Sequence, residues 1–259
     1  MSASARGLDL PPAGVAFVIN SGVAVGRELA VGLEQGGSRV ALLHDVVRAT
    51  GPESITRSGS VVSFPTSFAS RDEVAAQFAA AASHLGPPQL VVQSILPPSL
   101  LTPIAIGKLE LPEWADAVHG AARATFYCLQ AAHAQMMQSG GGAIVCVGPS
   151  FGLVGAAGLV ALSTVLEAQR TLVKSAARQW GHLGIRVHWI SLGVGENYPA
   201  LQGISLPNAP ELGPPPPALG RVPNLSQDVA SIAQFLASHA GRALTGTSLV
   251  ADGGVWMVP

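Results

Sequence analysis

Gly148-Pro149-Ser150-Phe151-Gly152 has the Gly-x-Ser-x-Gly spacing of a nucleophile elbow, between an apolar run and a helix-forming stretch. A serine there, with a His and an Asp, would do acyl-transfer chemistry. A second candidate is the turn Ile19-Asn20-Ser21-Gly22-Val23-Ala24-Val25-Gly26. Glycines in such a turn let backbone N–H groups approach a pyrophosphate at a helix N-terminus. Gly22 and Gly26 are present, but Val23 and Val25 are bulky and β-branched, and a structural turn that binds nothing is the favoured reading. The histidines His44, His84, His119, His133, His182, His188 and His239 show neither HxH nor HExxH spacing, so no metal site is expected. Cys128 and Cys146 form no CxxC pair, and Cys146 falls in an apolar run where a thiol is packing. The chain has two tyrosines, Tyr127 and Tyr198, and two lysines, Lys108 and Lys174. No tyrosine precedes a lysine by four residues, so no phenol and ammonium meet one helical turn apart. Tyr198 could supply an acid, but no lysine is near it in sequence.

The elements that would position these residues are legible as alternating short apolar runs and helical stretches. The runs are Val15–Ile19, Val40–Leu43, Leu90–Val92, Ala143–Val147, Ile185–Ile190 and Ser248–Val250. Being apolar on both faces, they suit a parallel sheet covered by helices on each side. Helical stretches lie near 25–36, 71–85, 113–138, 158–181 and 226–239, the last opening on Ser226-Gln227-Asp228 as a capped start. This alternation predicts a doubly wound, Rossmann-like α/β fold. A single domain is expected over 1–259, with a flexible tail at 1–12 and a Pro-rich lid or flap at 194–224.

Composition narrows the function. Of 259 residues, 48% are hydrophobic and only 11% charged, which excludes disorder. Lys+Arg is 14 against Asp+Glu 15, so no basic excess exists to neutralise phosphates and nucleic-acid binding is not expected. Two cysteines fit a reducing compartment, and residues 1–7 hold no apolar signal region, so a cytoplasmic location is expected. No Asp, Glu, Lys or Arg occurs between Arg123 and Glu167, yet Gln135, Gln138, the Gly140-Gly141-Gly142 run and Pro149 interrupt the stretch. It reads as helix, strand and helix in succession, and no transmembrane span is predicted.

Leu172-Val173-Lys174-Ser175-Ala176-Ala177-Arg178-Gln179-Trp180, then Gly184-Ile185-Arg186-Val187, and Leu244-Thr245-Gly246 through Ala251-Asp252-Gly253-Gly254 together resemble the short-chain dehydrogenase/reductase family. The likeness runs from Val15 to Gly254. It implies hydride transfer between NAD(P) and an alcohol or ketone, with a Tyr as acid/base, a Lys four residues later, a Ser that orients the substrate and an upstream Asn. Aligned on Gly152, Gly155 and Trp114, those positions are held by Leu162 (Tyr), Leu166 (Lys), Pro149 (Ser) and Ala121 (Asn). None can move a proton. The glycine turn keeps only Gly26 in register, leaving Asn20, Ser21 and Gly22 as a vestigial loop. His44 stands at the NAD-selecting position with Asp45 one step late, Ser67 at the adenine position, Gln93-Ser94-Ile95-Leu96 after the fourth strand and Leu192-Gly193 after the sixth. The Gly148-x-Ser150-x-Gly152 glycines also fit the family's Ser-x-x-Gly-x-x-Gly loop.

The resemblance therefore implies a catalytically silent subunit with no cofactor. It would pair with an active paralogue (a dehydrogenase of hydroxyacyl thioesters is one example) or with itself, through the helices around 113–138 and 158–181. Two alternatives stay open: an oxidoreductase that uses NAD(P) at an atypical site, and a protein that binds an apolar small molecule without reaction.

Overall fold

The computed structural model describes residues 14–22, 24–45, 61–202 and 216–257. Seven parallel strands form one sheet in the order β3-β2-β1-β4-β5-β6-β7. They are β1 (Val15–Ser21), β2 (Arg39–Asp45), β3 (Val61–Thr66), β4 (Leu90–Ile95), β5 (Gly142–Pro149), β6 (Ile185–Leu192) and β7 (Ser248–Ala251). Every residue of β1 and β4 is buried, as their apolar first halves in a doubly covered sheet require, and the polar Asn20, Ser21, Gln93 and Ser94 toward their carboxyl ends are buried with them. The chain reverses direction along the sheet between β1 and β4, which opens a crevice at their carboxyl ends.

The helices are α1 (Val25–Gln35), α2 (Arg71–Leu85), α3 (Leu111–Ser139), α4 (Phe151–Val154), α5 (Val160–Trp180) and α6 (Ala230–Ala237). α1 packs with α6, and α2, α3 and α5 pack together. α3 starts on Pro112 and stops at Gly140 in the left-handed region, the asymmetry expected of Pro at a helix start and Gly past its end. Arg186 of β6 donates to the carbonyls of Leu236 and Ala237 in the last turn of α6, and to that of Gly241 in the turn that follows, placing a cation at the helix C-terminus.

Two readings of the sequence need correction. β3 was not expected, because Ser63 and Pro65 interrupt its apolar pattern; it pairs only with β2 among the described strands, and an outer strand tolerates a proline. The helix predicted from Ser226 is capped instead by Asn224, whose Oδ1 accepts from the N–H groups of Ser226 (2.9 Å) and Gln227 (3.1 Å). Its first turn, Leu225–Val229, is π-wound and runs directly into α6. The expected tail at 1–12 lies outside the described residues, as do 203–215 of the Pro-rich segment. The flanks of that segment are tied together: Asn197 Nδ2 donates to the carbonyls of Gly193 and Pro223. Among the described residues, no helix is long and apolar enough to cross a membrane.

Candidate functional site

Two clefts open at the carboxyl edge of the sheet. One, of about 260 Å³, is lined by Ser21, Asp45, Ser67, Ile95, Ala121 and Arg123 among others. The other, of about 340 Å³, lies between the start of α3 and the start of α5, against Trp114, Leu159 and Leu162. Both touch Ser99, Asp116 and Ala117, so the two are neighbours.

The four residues that the resemblance would put at catalytic positions lie near this edge, and all are buried. Leu162 and Leu166 belong to the apolar stripe of α5, with Val165 and Val173. Leu162 walls the larger cleft and Ala121 the smaller. Leu166 fills the space beside β5: a Cβ on Gly148 would lie 2.7 Å from its Cδ2, and one on Gly152 would lie 2.8 Å from its Cβ. The small residues of the 148–152 loop are thus accounted for by Leu166. Pro149 ends β5 in register with Leu192 and offers no hydroxyl.

The hydrolase reading fails on geometry. A nucleophile elbow places its serine on a strained turn with the hydroxyl displayed. Ser150 is buried with φ −68° and ψ −7°, an ordinary helical conformation, and its N–H donates to the Leu192 carbonyl. Tyr198 does not replace the missing acid. It is buried and its hydroxyl has no hydrogen-bond partner among the described residues, and burial pushes its pKa well above the ordinary phenol value. No cation lowers it, so it stays a neutral phenol with no proton acceptor at hand.

What stands between α3 and α5 is a pair that the sequence reading missed. Gln169 Nε2 donates to the Thr125 hydroxyl at 2.8 Å and to the Ile95 carbonyl at 3.0 Å. Thr125 in turn donates to the carbonyl of Ala121 at 3.0 Å. The signal was available: Gln169 is a polar residue on the buried stripe of α5, three positions beyond Leu166. The network joins the helices but contains no ionisable group.

Strand alternation turns Asp45 into the smaller cleft and His44 away from it, where His44 Nε2 meets Ser63 Oγ at 2.7 Å. Asp45, and not His44, therefore faces that cleft. The pyrophosphate and nicotinamide ends of a dinucleotide do not fit. The N–H of Gly26 is already bonded to Asn20 Oδ1 at 3.1 Å, and Leu166, where the resemblance would put the ribose-binding ammonium, is aliphatic. Gly26 itself is explained by packing, since a Cβ there would lie 2.5 Å from the Asn20 Cβ. Among the described residues, no three His, Cys, Asp or Glu side chains converge on a point that could hold a metal.

A family model described as enoyl-(acyl carrier protein) reductase matches residues 22–256. A "probable short-chain type dehydrogenase/reductase" of Bradyrhizobium diazoefficiens is 29% identical over 252 residues, covering 93% of this chain and 86% of that protein. A 3-oxoacyl-[acyl-carrier-protein] reductase of Staphylococcus aureus is 26% identical, covering 93% and 98%. A (+)-cis,cis-nepetalactol synthase of Nepeta racemosa is 33% identical over 154 residues, covering 58% and 57%. With the parallel sheet, its strand order and the clefts at its carboxyl edge, the match over nearly the whole chain places this protein in the short-chain dehydrogenase/reductase family.

Proposed function

We propose that this chain is a catalytically silent member of its family that works as a subunit, beside an active paralogue or a second copy of itself. One observation carries the reading. The face of α5 that should present a phenol and an ammonium presents Leu162 and Leu166, both buried and packed. The supporting feature is the surface of α3, where Phe126 and Met137 remain 46% and 47% exposed in a segment free of charge. Covering such a surface with another subunit involves no desolvation of charge.

The test has two arms. The purified chain is assayed for oxidation of NADH and NADPH with ketones of several sizes, and it is co-expressed with a family paralogue that has an intact Tyr-x-x-x-Lys. No turnover alone and co-purification with the paralogue are expected; a self-assembled protein that turns over substrate would overturn the reading. An atypical NAD(P)-dependent oxidoreductase is the second reading. It is favoured by Asp45 in the smaller cleft and by the oxidoreductase names of the relatives, and saturable NADH binding by the wild-type chain is its signature. Retention of an apolar ligand in the 340 Å³ cleft without reaction is compatible with the first reading and would be seen by native mass spectrometry.

A further inference from the structure

Asn20 is buried near the end of β1, and its side-chain Oδ1 accepts the backbone N–H of Gly26, the second residue of α1. That N–H belongs to the first turn, whose donors no carbonyl inside the helix can reach. In dinucleotide-binding folds these donors face the pyrophosphate, and the glycines of the turn leave room for it. Here one side chain takes the donor and fills the space against the helix start. The turn is closed from its other side as well: Gly22 has φ +97°, and a Cβ on it would lie 2.6 Å from the Leu96 carbonyl oxygen and 2.8 Å from Pro98 Cδ. Beyond the turn the cleft is still open, with Ser21, Asp45, Ser67 and Arg123 on its walls.

We infer that Asn20 is an internal stand-in for a dinucleotide phosphate. Its carboxamide oxygen takes the N–H that a phosphate oxygen would accept from, and so keeps adenine dinucleotides out of the cleft that Asp45 faces. This inference is independent of α5, on which the silent-subunit reading rests.

The wild-type chain, Asn20→Gly and Asn20→Ala are titrated with ADP-ribose by calorimetry, and the Gly26 amide is followed by ¹H–¹⁵N spectra during additions of ADP-ribose and of inorganic phosphate. The wild type should show no saturable binding below about 1 mM and a Gly26 amide that does not respond. Both variants should bind ADP-ribose at least tenfold more tightly, with the Gly26 resonance shifting as ligand is added. If Asn20→Gly fails to fold, Asn20→Ala decides, because it keeps the Cβ that rests on Gly26. Folded variants that bind no better than the wild type would overturn the inference, as would micromolar binding by the wild type. Turnover measured on the same samples separates the two ideas: no gain in binding together with no turnover removes the role of Asn20 and leaves the silent-subunit reading intact.

Discussion

Gln169 and Thr125 face each other across the α3–α5 boundary, an amide nitrogen 2.8 Å from a hydroxyl oxygen, both buried. The same nitrogen satisfies the Ile95 carbonyl at the end of β4. Gln169→Leu would leave that carbonyl without its donor while keeping the volume. The loss of a buried hydrogen bond with one group orphaned is worth about 1–3 kcal/mol. Gln169→Glu should cost more, because it sets an acceptor against an acceptor. Urea denaturation at pH 7 measures both, and a Glu variant as stable as the wild type would contradict the assignment of the donor.

Leu166 and Gly148 should be energetically coupled. Gly148→Ala drives a methyl to 2.7 Å from Leu166 Cδ2 and 2.9 Å from the Trp189 ring, and overpacking of this kind costs about 1–3 kcal/mol. In a Leu166→Ala background the clash with Leu166 is relieved and the 2.9 Å approach to the Trp189 ring remains, so the same substitution should cost measurably less. A double-mutant cycle in chemical denaturation reads the coupling. Additivity within error would show that Leu166 does not fill the site.

Restoring the family's pair should not restore chemistry. Leu166→Lys puts an ammonium into an apolar pocket with no carboxylate on the buried face of α5, and should cost at least about 2 kcal/mol. The double variant Leu162→Tyr with Leu166→Lys still has Ala121 and Pro149 at the other two positions. Hydride transfer, followed through NADPH absorbance, should stay at background. Measurable turnover by the double variant would mean that the α5 pair alone had silenced the site.

The thiols offer a labelling test of the core. Burial raises the pKa of Cys128 far above its ordinary value and pushes that of Cys146 up to about 12. Only the thiolate reacts with alkylating reagents. The native chain should therefore take up no iodoacetamide at pH 7.5 over the time in which the urea-unfolded chain is labelled at both cysteines. Labelling of native Cys146 would show that β5 and α3 open locally.

The doubly covered sheet was readable because β1, β4 and β5 carry unbroken apolar runs, and α1, α2, α3 and α5 carry stripes bounded by Pro or Gly. β3 was not readable: Val61 to Thr66 has half-buried residues and a proline, and only its place beside β2 makes it a strand. The aliphatic side chains of Leu162 and Leu166 were visible by residue type alone. The packing that follows from them was not, because the fit of Leu166 to Gly148 joins residues on different elements. Asn20 was visible as a departure from the glycine pattern, but its bond to Gly26 depends on strand and helix meeting at contact distance. Asp45 was placed one step late by counting, and the alternation of β2 turned it into the cleft.

Acid should weaken this fold in two separable stages. His188 of β6 is buried, its Nδ1 sits 2.8 Å from Thr247 Oγ1 and its Nε2 has no partner among the described residues. Burial, and then the Arg186 charge, lower its pKa to about 4. A histidine so depressed is neutral in the native state while the unfolded chain binds a proton below about pH 6.5. Between about pH 6.5 and pH 4 the unfolded state thus holds more protons, and stability falls as pH falls, by about 3 kcal/mol at most; below pH 4 both states are protonated and this contribution is flat. Asp228 acts lower still. Its carboxylate is held below its ordinary pKa first by the hydrogen bond from Arg221 and also by the Asn224 N–H, so its contribution is lost only as pH falls through that depressed value. His188→Asn, which keeps a polar atom toward Thr247, should remove the slope between pH 6.5 and 4 and leave the more acidic stage unchanged. Urea midpoints measured at half-unit pH steps test it, and an unaltered slope in the variant would assign that window to other groups.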